Sequence, residues 1–367
     1  MKIQCLNKNL KEAVIIAERN ISKNQTLPIL NSIFLEVNKD RIKIRATNLE
    51  TAVEVTVSGK IQETGILAIP AKTISSFLAN IGDEQIILQT QKNNLFIKTN
   101  AIETTIHGYP PEDFPIFPKL ESPETFTLTS LELKQGLSSV AIASSISDIK
   151  PELASIFFNI FKNTIKIAAT DSFRLAEKNL VLSKLRAEKM LSFLIPQRAV
   201  SEILRLLEND EDIEVGVNKN QIIFSGANYK FISRLTDGKF PDYEQIIPKK
   251  FNAAAVAKKS DILSHIKLAS VFVGKLNELA LSFNPAKKAI LLNTSHSDVG
   301  EHSSIVAATA QGESIVAKFN WKYLLDGISQ INNEYVEFNM NSDQSPLLIK
   351  GKGDASYIYL VMPMRGV

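Results

Sequence analysis

The side chains able to do chemistry are few and scattered. The four histidines are His107, His265, His296 and His302, and the last two stand six residues apart. Two helical metal ligands need a spacing of four to share one face, so this pair does not qualify. Cys5 is the single cysteine. It can form neither a paired-thiolate metal site nor an internal disulfide, which agrees with a reducing compartment. Gly351-Lys352-Gly353 lacks the further glycines and the following helix with which a loop cradles phosphate. Asp171 and Arg174 have the types of an acid and an anion clamp, but the sequence puts no nucleophile or base beside them. The expectation is a chain with no catalytic residue, no metal ligand and no cofactor.

If no reaction is legible, the elements must be read for binding. The chain has 367 residues, 44% of them hydrophobic and 22% charged, the balance of a folded water-exposed protein of two or three domains. No apolar run approaches the ~18–20 residues that span a bilayer, and Asn7, Lys8 and Asn9 interrupt any leader-like apolar start. A cytoplasmic protein with no membrane partner is expected. The net charge is only +3. A protein that grips nucleic acid through phosphates alone is usually more basic, so any such partner is held loosely and by one face.

The strongest signal is internal repetition. Leu67-Ala68-Ile69-Pro70-Ala71-Lys72 is matched 126 residues later by Phe193-Leu194-Ile195-Pro196-Gln197-Arg198. The apolar residues that follow, Ile74, Phe77, Leu78 and Ile81, then Val200, Ile203, Leu204 and Leu207, keep the same offset. This spacing marks one face of an amphipathic helix. Phe319-Asn320-Trp321 with Leu324, Ile328 and Ile331 is a third copy. Three further helices carry Leu10, Ala13, Val14 and Ala17; Leu133, Leu137, Val140 and Ala141; and Ile262, Ile266, Ala269 and Val273. The alternating segment 41–48 is repeated at 164–171 and, less regularly, at 289–294, as half-buried strands require. Asp113-Phe114-Pro115 and Lys239-Phe240-Pro241-Asp242 repeat near the unit ends. Three units follow, 1–120, 121–247 and 248–367, each reading helix, strands, helix, strands. The class is α+β: antiparallel sheets with helices packed on them. Pro118 to Pro123 and Pro248-Lys249-Lys250 are the expected linkers.

Several segments are similar to those of one family. Thr26-Leu27-Pro28-Ile29-Leu30, Thr170-Asp171-Ser172-Phe173-Arg174-Leu175-Ala176, Phe240-Pro241-Asp242-Tyr243 with Ile246 to Pro248, and Tyr357 to Arg365 resemble, in that order and across the whole chain, the bacterial DNA polymerase III beta subunit, the sliding clamp. The resemblance implies three alike domains (the DNA clamp fold), with helices lining a central hole, sheets outside, and a ring closed by a head-to-tail homodimer. It implies a non-catalytic processivity factor that encircles double-stranded DNA without reading its sequence, with the replicative polymerase, the clamp loader and other clamp-binding-motif proteins as partners. A ring held by topology needs no strong phosphate grip, which fits the small net charge.

Carried over by position, a peptide-binding cleft would use Leu153, Thr170, Phe173, Arg174, Leu175, Pro241, Ile246, Leu360, Val361, Met362, Pro363, Met364 and Arg365. Flexible, polarizable methionines suit such a surface, and Arg174 and Arg365 are expected to hydrogen-bond peptide at the rim. Phe173 stands where relatives often have histidine and Gln245 where some have arginine, so peptide preference is expected to differ. Gly366 and Val367 run one residue past a common ending. The implied DNA-facing residues are Lys72, Lys134, Lys150, Arg198 and Arg205, while Asn24 stands where a relative is basic. The six helical segments carry eleven Lys or Arg against seven acids, a mild excess that ordinary solvated helix faces also give. Ring closure would use Thr104 and Ile106 against Ser270, Val271 and Phe272. An enzyme with a site at a junction of repeated domains, or a scaffold binding protein alone, are the rival readings.

Overall fold

The computed structural model describes residues 1–22, 27–118, 120–147, 149–182 and 187–364. Asn24, Thr26, Lys119, Arg365, Gly366 and Val367 lie outside the described residues. Among the described residues six α-helices are formed: α1 (Asn7–Arg19), α2 (Ala71–Ala79), α3 (Ser130–Ala141), α4 (Gln197–Leu206), α5 (Lys259–Ser270) and α6 (Trp321–Ser329). All are amphipathic. Leu10, Ala13, Val14 and Ala17 bury on α1, Ala199, Val200 and Ile203 on α4, Leu324 and Ile328 on α6. The Asn320 side chain caps α6 by accepting from the Lys322 amide, satisfying one of its orphan donors.

The helices stop slightly short of the expected faces. Ile81, Leu207, Val273 and Ile331 lie just past the last helical residues of α2, α4, α5 and α6. Three of them still bury, because the chain turns inward as it leaves the helix; Val273 is only half-buried. At the end of α5 the Val271 and Phe272 amides donate to the Leu268 and Ala269 carbonyls, three residues back, a tightening that ends the helix early. A short strand also precedes the first helix of each repeat, at Lys2–Leu6, Glu124–Thr129 and Ala253–Lys258. Each runs straight into its helix, so no turn residue announces the change of period.

The chain divides into two compact units, 1–130 with 208–235 and 131–207 with 236–367. In the first, a five-stranded sheet runs Lys60–Glu63, Lys2–Leu6, Gln85–Gln91, Asn94–Lys98, Glu103–His107. An eight-stranded sheet runs Glu124–Thr129, Asp212–Val217, Gln221–Ser225, Tyr229–Arg234, Thr51–Val57, Ile42–Thr47, Ser32–Val37, Gly65–Pro70. In the second unit a twelve-stranded sheet runs Ala187–Pro196, Ser155–Lys162, Thr164–Thr170, Arg174–Val181, Tyr357–Val361, Leu347–Gly351, Tyr335–Met340, Ala253–Lys258, Gly300–Gly312, Ala289–His296, Glu278–Asn284, Val316–Asn320. The strand pairings are antiparallel throughout. Each large sheet merges strands of neighbouring repeats: Phe231 faces Val53 in one, and Leu175 faces Leu360 in the other. Merging removes edges that would otherwise expose unpaired backbone groups.

The repeat persists in packing detail. Phe114 lies against Phe34 at 4.9 Å, and Phe240 stacks on Phe157 at 5.0 Å. Lys43 pairs with Glu54 at 2.9 Å, and Lys166 approaches Glu177 at 3.9 Å. A strap after each of the first two repeats thus folds back onto its own sheet in the same way. Cys5 is buried, and burial pushes its thiol up to about 11. Because the thiolate is the reactive form, native protein at pH 8 is expected to react negligibly with a thiol-specific dye and to release one equivalent once unfolded, read by absorbance.

Candidate functional site

The site is built on a tight turn. The strand Thr164–Thr170 ends where the Thr170 hydroxyl donates to the Arg174 carbonyl at 2.7 Å and accepts from the Ser172 amide. Asp171 Oδ1 accepts from the Phe173 and Arg174 amides at 2.9 and 3.0 Å. Ser172 sits at φ +77°, a left-handed conformation that these local bonds sustain. The first repeat has the same turn: Asn48 accepts from the Glu50 and Thr51 amides, the Thr47 hydroxyl donates to Thr51, and Leu49 sits at φ +74°. The turn is therefore a property of the repeat. What differs is its cargo: Phe173, 62% exposed, and Arg174 occupy the places of Glu50 and Thr51.

The chain's last described residues meet this turn. Tyr357–Val361 pairs with Arg174–Val181, setting Arg174 opposite Val361 and Leu175 opposite Leu360. The Met362 amide then donates to the Phe173 carbonyl at 2.8 Å and the Met364 amide to the Lys318 carbonyl at 2.7 Å. Pro363 between them has no N–H to offer. Beneath lies a buried floor of Ala168, Leu175, Leu194, Phe240, Tyr243, Leu348 and Leu360. Above it Phe173, Pro241, Ile246 and Met362 are exposed, and Pro363 and Met364 are half-buried. The result is an apolar crest over an apolar floor, with flexible Met362 and Met364 at its edge. Such a surface suits a short apolar peptide.

Most of the expected cleft residues come together here: Thr170, Phe173, Arg174, Leu175, Leu360, Val361, Met362, Pro363 and Met364 directly, and Pro241 and Ile246 through the strap around Tyr243. Leu153 sits in the loop leading to Ser155–Lys162, where it bonds Ser145 and Lys150; among the described residues no hydrogen bond or strand pairing joins it to the others. Arg365 lies outside the described residues. Gln245 is exposed, and its amide donates to Asp242 at 2.5 Å.

Arg174 is engaged inside the protein. Its Nε donates to Asp171 Oδ2 at 3.0 Å and its Nη1 to Asp326 Oδ2 at 2.6 Å, with the Tyr323 ring 4.3 Å from the guanidinium carbon. The guanidinium is already bonded within the protein. Tyr323 and Asp326 on α6 were not singled out by sequence reading; Asp326 lies 152 residues from Arg174, a separation no local pattern signals. The strap holds a second polar knot: Tyr243 donates to Glu177 at 2.5 Å, and Lys166 bonds Glu244. Burial, then the Glu177 carboxylate, raise the Tyr243 phenol well above its usual pKa, so it remains a donor at any physiological pH.

Lys72 on α2, Lys134 on α3, Lys150, and Arg198 and Arg205 on α4 are all exposed; Arg205 pairs with Glu202 one turn away. Ser270 ends α5, Val271 is 66% exposed, and Phe272 stacks on His302 at 5.5 Å. Ile106 is only 5% exposed, its side chain packed in the core of its own sheet. Thr104 is half-buried. Among the described residues, no helix is long and apolar enough to cross a membrane, and no cluster of three His, Cys, Asp or Glu stands ready for a metal.

Like modules of antiparallel sheet and paired helices, merged through their sheets and carrying an apolar crest, define a repeat-built α+β protein. Models of the DNA polymerase III beta subunit match its N-terminal domain at residues 1–118, its central domain at 127–242 and its C-terminal domain at 244–365. A beta sliding clamp of Synechococcus elongatus is 24% identical over 100% of this chain and 99% of its own. One of Staphylococcus aureus is 26% identical over 94% of each. The solved DNA polymerase sliding clamp of Bacillus subtilis superposes with a TM-score of 0.95 at 22% identity, covering all of both chains, a likeness of fold. The chain belongs to the DNA polymerase III beta subunit family: it has the three-domain DNA clamp fold and is a sliding clamp, a processivity factor and not an enzyme.

Proposed function

We propose that two copies of this chain close head to tail into a ring around double-stranded DNA, in the cytoplasm, and tether a replicative polymerase, its clamp loader and other peptide-bearing partners through the crest at Phe173 and Met362. The domains would be 1–120, 121–247 and 248–367. The observation that carries this reading is the crest itself, where the Met362 and Met364 amides tie the last strand to the Phe173 and Lys318 carbonyls over an apolar floor. Lys72, Lys134, Lys150, Arg198 and Arg205 would face the DNA through water, loosely enough to slide.

Two free strand edges support closure. Glu103–His107 is the last strand of its sheet. Gly300–Gly312 pairs with Ala289–His296 through residues 300–307 and with Ala253–Lys258 only through 308–312, leaving one edge of its first half unpaired. Antiparallel joining of the two would satisfy both, with Thr104 and Ile106 contributing backbone and Ser270, Val271 and Phe272 covering the seam. The mass in solution at micromolar concentration is expected near twice the 40.7 kDa of one chain; a clean monomer there would weaken the ring.

The deciding test is topological. The protein is loaded by its loader on nicked circular DNA, which is then linearised. A ring stays on the circle and runs off the ends, whereas a protein-only scaffold or an enzyme shows no dependence on DNA topology.

A further inference from the structure

This inference rests on the reading of the crest as a peptide cleft and concerns how its two walls are held. We propose that Arg174 is a positioning residue of that cleft rather than a peptide-binding one. Its guanidinium clasps the Thr170–Arg174 turn to α6 through Nε and Nη1, and held in that orientation it does not itself select peptide carboxylates.

The geometry forms a closed circuit. On one side the tail runs from the Phe173 carbonyl through Met362 and Met364 to the Lys318 carbonyl. Lys318 stands two residues before Asn320, the cap of α6. On the other side Asp326, on α6, bonds Arg174 at 2.6 Å, and Arg174 follows Phe173 directly. The tail and the clasp therefore connect the same two walls independently. Removing either leaves one tie fewer to fix the spacing of the walls.

The chemistry of the clasp favours positioning. Asp171 spends one oxygen on the Phe173 and Arg174 amides and the other on Arg174 Nε. Asp326 takes Nη1, and the Tyr323 ring lies 4.3 Å from the guanidinium carbon. A planar fork bonded on two edges and stacked against a ring has a fixed orientation. Two carboxylates around one cation also leave the cluster with a surplus negative charge, which disfavours a peptide acid nearby. Asp326 is the member to perturb, since it lies on the exposed side of a surface helix, with 41% of its side chain accessible, and makes none of the bonds that shape the turn.

The test uses fluorescence polarisation with a labelled, uncharged, C-terminally amidated peptide of about six residues from a polymerase tail, and the same peptide with one glutamate. Four proteins are titrated: the unaltered chain, Asp326→Asn, Asp326→Glu, and the chain lacking Met362–Val367. In Asp326→Asn the uncharged peptide is expected to bind about tenfold more weakly, as the loss of one charge-assisted bond between the walls implies. The glutamate peptide should lose much less, because Nη1, now facing a neutral amide oxygen, bonds the stronger acceptor that its carboxylate offers, so the preference between the two peptides shifts toward glutamate. Asp326→Glu, which retains a carboxylate, should restore the original preference. Equal weakening of both peptides, no weakening, or the same shift in Asp326→Glu overturns the clasp; equal weakening would mark Asp326 as merely structural. Failure of the cleft reading looks different: the unaltered chain binds neither peptide, or the tail-less chain binds both as before.

Discussion

Deleting Met362–Val367 is expected to abolish binding of polymerase-derived peptides while the protein stays folded and dimeric. The segment provides Met362, 39% exposed, and the half-buried Pro363 and Met364, the flexible apolar edge of the crest. A short peptide draws most of its affinity from a few buried anchors, so losing the wall they pack against should weaken binding by at least ~100-fold, or ~3 kcal/mol. The fold loses far less. The strand Tyr357–Val361 and the buried Leu360 and Val361 remain. Among the described residues two backbone hydrogen bonds disappear, those of the Met362 and Met364 amides, each worth about 1 kcal/mol net. Polarisation titration, thermal melting and solution mass together check the result. Unchanged peptide affinity in a folded, tail-less protein would count against the crest as the docking site.

Substituting Gly327→Val should cost stability on a larger scale, about 3 kcal/mol or more. Gly327 lies inside α6, where glycine is ordinarily about 1 kcal/mol worse than alanine, so its presence needs a reason. That reason is Tyr359, fully buried, whose ring atoms would lie 2.1 to 2.6 Å from an added Cβ. The ring cannot retreat, because it sits in a central strand between Leu347–Gly351 and Arg174–Val181. Overpacking a rigid buried ring costs typically 1–3 kcal/mol or more, and a branched side chain adds to the strain. Even Gly327→Ala should destabilise, despite the better helix former. Tyr359 neighbours Leu360 of the crest floor, so peptide affinity should fall with the melting temperature. A Gly327→Val protein that melts like the original would mean that α6 does not approach the sheet so closely.

Much of the fold is legible in the amino-acid sequence. The offset near 123 that relates Thr47–Thr51 to Thr170–Arg174 reappears as one turn built twice, with matching hydroxyl and side-chain bonds. The apolar faces of α1, α4 and α6 bury where their spacing says they must. These features are local: a helix face or a tight turn is decided by residues within a few positions of each other, and a repeat displays the same decision several times. The short strands ahead of α1, α3 and α5 escaped notice because a period of two over five or six residues leaves little signal once it runs into a helix.

Amino-acid order by itself settled that this protein is a threefold α+β repeat, because repetition and periodicity are properties of order alone. It also singled out, through the likeness of short segments, the residues at the Phe173 turn and the Met362 tail. Only the tertiary structure decided which of these meet and what each one touches. It put Val361 opposite Arg174, turned Ile106 inward, set Leu153 in a separate loop, and bound Arg174 to an aspartate 152 residues away. The physical reason is that backbone ladders and charge pairs form between whichever groups packing brings within about 3 Å, and distance along the chain carries no record of that approach.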